Sequence, residues 1–140
     1  MERKYQIFTA LQIVAVGCWI WVLITWHTPW NAQRYAGTVL SIAGLSGIVV
    51  ARRQLGRSFS LTPQARQLVT SGIYSKVRNP IYVFGTVALA GLTMVFQKRE
   101  LWIIVVCLAI AQTMRARREA GVLEAAFGDE YREYRRKTWF

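Results

Sequence analysis

Charge is excluded from four stretches of this sequence, and that exclusion limits the folds open to it more than any other feature. The stretches cover residues 5–26, 35–51, 80–96 and 101–114, which are 22, 17, 17 and 14 residues long. All seven acids and every Lys and Arg lie outside them. The hydrocarbon core of a bilayer takes a helix of roughly 20 residues, with about 17 as the usual minimum. The first stretch meets that length, the second and third are adequate, and the fourth is short by itself. No proline interrupts 101–127, however. A continuous helix over that range would be roughly 40 Å long, with its first half in lipid and its second half emerging. The basic residues at 115, 117 and 118 would then reach for the boundary with their charged heads. The pattern predicts a single all-α integral membrane domain of about four transmembrane helices (5–26, 35–51, 80–96 and 101–118), followed by a C-terminal cytoplasmic helix and tail over 115–140. The first stretch reads as a retained span, because its apolar run exceeds that of a signal peptide and no small-residue cleavage site follows.

Hydrophobic residues make up 54% of the chain and charged residues 18%, too little polar content to coat a soluble domain of 140 residues. The net charge of +11 suggests nucleic acid at first sight, but its distribution follows a membrane rule. With the N-terminus inside, fifteen of the eighteen basic residues fall in cytoplasmic segments. Only Arg34, Lys98 and Arg99 fall outside. This is the positive-inside pattern with both termini cytoplasmic, and it leaves no case for a nucleic-acid partner. The expected surroundings are a lipid bilayer, with the large polar segments on its cytoplasmic side. Cys18 and Cys107 lie in apolar runs without metal-like neighbours and read as small core residues. His27, the only histidine, sits at a span end between Trp26 and Trp30 and reads as interfacial.

Small residues recur at helical spacing in the second stretch (Gly37, Ser41, Gly44, Gly47) and in the third (Gly85, Ala88, Gly91). Such spacing lets membrane helices approach closely, so these positions read as packing. Only residues 97–100 separate the third and fourth stretches, which predicts a tight antiparallel hairpin. The long polar connection is residues 52–79. Connections of this length in a compact chain are usually functional or disordered, and this one carries apolar residues to pack. That loop and the C-terminal helix are the natural walls of a cytoplasmic pocket.

Two blocks of sequence resemble a known family. Residues 68–74 read Leu-Val-Thr-Ser-Gly-Ile-Tyr, and residues 77–82 read Val-Arg-Asn-Pro-Ile-Tyr. After the hairpin come Arg115-Ala116-Arg117-Arg118-Glu119 and then Phe127-Gly128-Asp129-Glu130-Tyr131 with Tyr134. In this order the blocks resemble the isoprenylcysteine carboxyl methyltransferase family and its bacterial relatives, a broad group that includes phospholipid methyltransferases. The resemblance covers about residues 55–134. Asn79 stands where the family has histidine, and Ala120 where many relatives have a second glutamate.

The resemblance implies an S-adenosylmethionine-dependent methyltransferase with S-adenosylhomocysteine as product and a lipophilic acceptor. That acceptor is either a prenylcysteine-like carboxylate or a phospholipid, and the sequence does not separate the two. Leu68 and Val69 would line the adenine pocket, with Gln64 and Arg66 upstream as further cofactor contacts. Tyr74, Asn79, Pro80, Ile81 and Tyr82 would follow along the cofactor, and Glu119 would hold its amino group or ribose. Arg115 would face the reacting substrate.

Structural readings stand beside these roles. Asn79-Pro80 is an ordinary helix start, with Asn favoured as cap and Pro as first residue. The same helix N-terminus would also suit a cofactor carboxylate. Tyr74 and Tyr82 could be interfacial anchors. Arg115 and Glu119, four apart, could be a surface ion pair worth a few tenths of a kcal/mol. Two non-enzymatic readings also remain: a small transporter, and a structural four-helix subunit. The apolar stretches hold no Asp, Glu, Lys, Arg or His, which counts against a proton-coupled transporter.

Overall fold

The computed structural model describes residues 2–55 and 68–140. Among them are four α-helices: α1 (Glu2–Thr25), α2 (Ala32–Leu55), α3 (Pro80–Phe96) and α4 (Leu101–Lys137), with a 3-10 turn at Gly72–Ser75. No strand forms among the described residues beyond an isolated parallel bridge between Val77 and Trp139. The all-helical expectation holds, and α3 has the predicted bounds. α2 is longer than its apolar stretch at both ends, and α4 continues well beyond its own. Helix-favouring residues flank both stretches, and charge does not stop a helix that has left an apolar environment.

The centre of the fold is α2 against α3. Gly37, Ser41, Gly44 and Gly47 form one buried face of α2. A Cβ placed on Gly44 would lie 2.5 Å from the Ala88 backbone nitrogen. One placed on Gly91 would lie 2.5 Å from the Ser41 nitrogen. The two backbones therefore touch where side chains usually intervene, and Ser41 Oγ donates to the Ala88 carbonyl at 3.3 Å. Helices that gain little from hydrophobic burial in lipid gain instead from this closeness of contact.

α1 joins the rest at its C-terminal end. Trp26 meets Phe96 edge-on at 4.6 Å, and Thr28 donates to the Val95 carbonyl at 3.0 Å. Arg34, expected in a polar turn, is instead 1% exposed in the first turn of α2. Its guanidinium donates to the Leu23 carbonyl at 2.7 Å and to the Thr28 carbonyl, and lies over the Trp30 ring. It thereby satisfies carbonyls that the end of α1 leaves open. Gln97 closes the α3–α4 hairpin in a left-handed conformation and donates to the Pro29 carbonyl at 3.0 Å.

Many large apolar side chains are exposed, among them Ile13, Trp21, Ile24, Val39, Ile103, Val106 and Ile110. An apolar exterior on this scale calls for an apolar surrounding. By length and apolarity α2 is the one described helix able to cross a membrane alone. Val16–Thr25 and Pro80–Phe96 are shorter apolar segments.

α4 bends sharply at Gly128, whose φ of 51° and ψ of −121° lie outside the helical range. An L side chain is strained there, although no atom lies within 4 Å of where its Cβ would sit. The bend turns residues 129–137 back, so that Tyr131 is buried and Tyr134 reaches the loop before α3. Gly128→Ala is expected to cost about 1–3 kcal/mol from backbone strain alone. Gly121→Ala, equally open but helical, should be neutral or mildly stabilising. Thermal unfolding of the two variants in detergent checks the contrast.

Candidate functional site

The loop before α3, the start of α3 and the emerging half of α4 converge on one cluster. Tyr82 Oη donates to Glu119 Oε1 at 2.6 Å, and Arg115 Nε donates to the same oxygen at 3.0 Å. Arg115 also lies 5.8 Å from the Tyr82 ring centre. The short O–H···O bond is charge-assisted and stronger than a neutral one. The Arg115–Glu119 pair is partly exposed, so its own contribution to stability is small. Its main effect is to hold the carboxylate between two partners on different helices.

Residues 68–79 lead into the start of α3 beside this cluster. Gly72 has a φ of +61°, and the Gln54 amide packs where a Cβ would be. Gln54 Oε1 accepts from the Ile73 N–H at 2.7 Å, tying the turn to the end of α2. Tyr74 is buried, and its carbonyl accepts from Tyr134 Oη at 2.7 Å. Burial pushes the Tyr74 phenol up, with Tyr134 and Glu119 adding to the shift. Burial, then the neighbouring Tyr131, pushes Tyr134 up to about 12, so it stays a hydroxyl donor at neutral pH. Tyr131 is raised by burial too, against an opposing effect from Arg78 and Arg135. Leu68 and Val69 are half-buried, and their backbone groups bond to nothing among the described residues.

Asn79 behaves differently from a simple cap. It sits at the cap position before Pro80, where its carbonyl accepts from the Tyr82 and Val83 N–H groups, but its side chain makes no capping hydrogen bond. Its backbone N–H and its Nδ2 both donate to the Phe140 oxygen, at 3.0 and 3.1 Å. The Arg78 N–H donates to the Trp139 carbonyl, and the Trp139 N–H to the Lys76 carbonyl. The tail is thus laced along residues 76–79, and this tie turns the Asn79 amide away from the first turn of α3. Pro80 is fully buried, and Ile81 is half-buried beside Tyr82.

Of the residues singled out from sequence, Tyr82, Arg115 and Glu119 come into direct contact. Tyr74 joins them through the packed loop. Asn79 belongs to the tail contact. Gln64 and Arg66 lie outside the described residues. Sequence reasoning missed Gln54, Thr86 and Gln112. Thr86 Oγ1 donates to Gln112 Oε1 at 2.7 Å, one turn further along α3 than the Tyr82–Glu119 bond. A lone amide in the otherwise apolar 101–114 run was the available signal.

The sequence model describing phospholipid methyltransferases matches residues 32–130, from the first residue of α2 to just past the Gly128 bend. The chain belongs to the phospholipid methyltransferase family. No individual curated protein and no solved structure matches it significantly. Membership in the phospholipid methyltransferase family brings a coarse function with it: methyl transfer to a lipid in a membrane setting. The matched region contains the whole Tyr82–Arg115–Glu119 cluster and leaves out α1 and the tail that binds Asn79.

Proposed function

We propose that this protein transfers a methyl group from S-adenosylmethionine to a phospholipid at the cytoplasmic face of a bacterial inner membrane. The observation that carries the reading is the Glu119 carboxylate, held by Tyr82 from α3 and Arg115 from α4 where the two helices meet. In this reading all four helices span the bilayer and both termini are cytoplasmic, in keeping with the fifteen basic residues on that side.

The residues present suit the methyl donor. Glu119 is a fixed acceptor for an ammonium group or ribose hydroxyls. The backbone of Leu68 and Val69 offers donors and acceptors to a base edge, and Tyr74 supplies an apolar wall. S-adenosylmethionine, when bound, would supply a sulfonium-activated methyl group, which passes in line to an acceptor lone pair as the S–CH3 bond breaks and S-adenosylhomocysteine leaves. The protein then has to position the partners and exclude water. Arg115, at the membrane boundary and beside the carboxylate, would orient the lipid headgroup. A phospholipid acceptor is preferred over a prenylcysteine because the matched family is described by phospholipid substrates.

The test is calorimetry on detergent-purified protein with S-adenosylmethionine and S-adenosylhomocysteine, followed by transfer of labelled methyl to phospholipids or prenylcysteines. Binding of both nucleosides and label in the phospholipid fraction is expected. Absence of nucleoside binding would refute the reading, and label only in prenylcysteine would refute the choice of acceptor.

A further inference from the structure

Beyond the Gly128 bend, the last part of α4 is tied to the segment that leads into the site. Tyr134 Oη donates to the Tyr74 carbonyl at 2.7 Å. Thr138 then leaves the helix in an extended conformation, and the chain pairs in parallel with residues 76–79. The Trp139 N–H donates to the Lys76 carbonyl at 2.8 Å, and the Trp139 carbonyl accepts from the Arg78 N–H at 3.0 Å. The Phe140 oxygen accepts from both the N–H and the Nδ2 of Asn79. The Asn79 carbonyl accepts in turn from the Tyr82 N–H at 3.0 Å, in the first turn of α3. Tyr82 Oη is one of the groups that hold Glu119. A continuous set of contacts therefore runs from an arm, residues 131–140, through Asn79 and Tyr82 to the carboxylate. The arm lies past residue 130, where the family match stops, so the family pattern does not define it.

We propose that this arm positions the methyl-donor site, with the Tyr134 hydroxyl and the Trp139 backbone as its positioning groups. The inference rests on the proposed function, in which the donor lies against Tyr74 and Glu119. Docked, the arm fixes Tyr74 on one side and the start of α3 on the other. Undocked, it releases both, and the donor meets a site that must be ordered as it binds. The Trp139 side chain is 65% exposed, so its backbone makes the tie. Arg132 and Arg135 reach Glu124 across the bend, but these pairs are exposed and add little. A segment held by a few bonds beyond the last helix opens at a low free-energy cost. Docking and donor binding are then linked: the factor that the docked arm adds to donor affinity is the factor that bound donor adds to docking.

The probe is S-adenosylhomocysteine, titrated by calorimetry into the detergent-purified full chain. The double variant Tyr134→Phe, Trp139→Pro lacks the hydroxyl and the N–H that make the tie. It is expected to bind about tenfold more weakly than wild type, the worth of about one hydrogen bond. Trp139→Ala keeps the backbone bonds and should bind as wild type does. Hydrogen exchange of wild type, read by mass spectrometry, gives the reciprocal measurement. Saturating nucleoside should slow exchange at the Trp139 amide by the same factor, about tenfold. A purely structural tie would show no such slowing. This second measurement needs no variant, so it decides even if the double variant fails to fold. Nucleoside binding without the slowing, equal affinity in the double variant, or an equal loss in Trp139→Ala overturns the proposal and leaves the methyltransferase reading standing. Absence of nucleoside binding by wild type refutes that reading, and the arm's role falls with it.

Discussion

Gly44→Ala is expected to unfold the α2–α3 pair at a temperature lower by on the order of 10 °C, a loss of about 3 kcal/mol. The new methyl would sit 2.5 Å from the Ala88 backbone nitrogen and 2.7 Å from its Cα. A flexible side chain could rotate away from such a clash, but a helix backbone cannot. The helices would have to move apart along the whole of their shared face, and lipid does not replace the dispersion attraction given up there. Alanine's better helix propensity acts in the opposite direction and is far smaller, at about 1 kcal/mol. Gly17→Ala in α1 is the control: nothing lies within 4 Å of that position, so the midpoint should stay where it is or rise slightly. Differential scanning fluorimetry in one detergent reads both variants. An unchanged midpoint for Gly44→Ala would mean that α2 and α3 do not meet at the glycine face.

That face was legible in the sequence because glycines at helical spacing in an apolar run have few other uses. The hairpin of α3 and α4 was legible for a similar reason: four residues between two long helices permit little else. What sequence did not reveal depends on where chains meet in space. The Arg34 guanidinium reads as a loop charge until the end of α1 is seen to present carbonyls to it. The tail gives no sign that it will pair with residues 76–79, since the bridge from Val77 to Trp139 spans the length of the hairpin and α4.

The candidate site was readable to a similar degree. Arg115 and Glu119 share a face by spacing alone, and Tyr82 came from the family pattern. The direct bond from Tyr82 to Glu119 depends on the crossing of α3 and α4, which no spacing within one helix encodes. Asn79 shows the converse. Its sequence context is that of an ordinary cap, yet its amide is claimed by a residue 61 positions away.

Glu119→Ala is expected to weaken S-adenosylmethionine binding about 100-fold and to lower stability by about 1–3 kcal/mol. Loss of a charged hydrogen-bonding partner from a site costs about 1.5–3 kcal/mol, which corresponds to about 10- to 100-fold in affinity. The stability loss comes mainly from the Tyr82 hydroxyl, which gives up a charged partner, since the pairing with Arg115 is partly screened. Glu119→Gln keeps the shape and an acceptor oxygen, so it should fall between wild type and alanine. Tyr82→Phe removes a bond that orients the carboxylate but leaves the charge, and a loss of about 10-fold is expected. Kinetics divide the roles further. If the carboxylate holds the methyl donor, these changes raise KM for S-adenosylmethionine and leave KM for lipid alone. Arg115→Met should raise KM for both, because Arg115 lines the groove along α4 and its Nε also holds the Glu119 carboxylate. Equal nucleoside affinity in wild type and Glu119→Ala would remove Glu119 from the cofactor site, and with it the reason for placing chemistry where α3 and α4 cross.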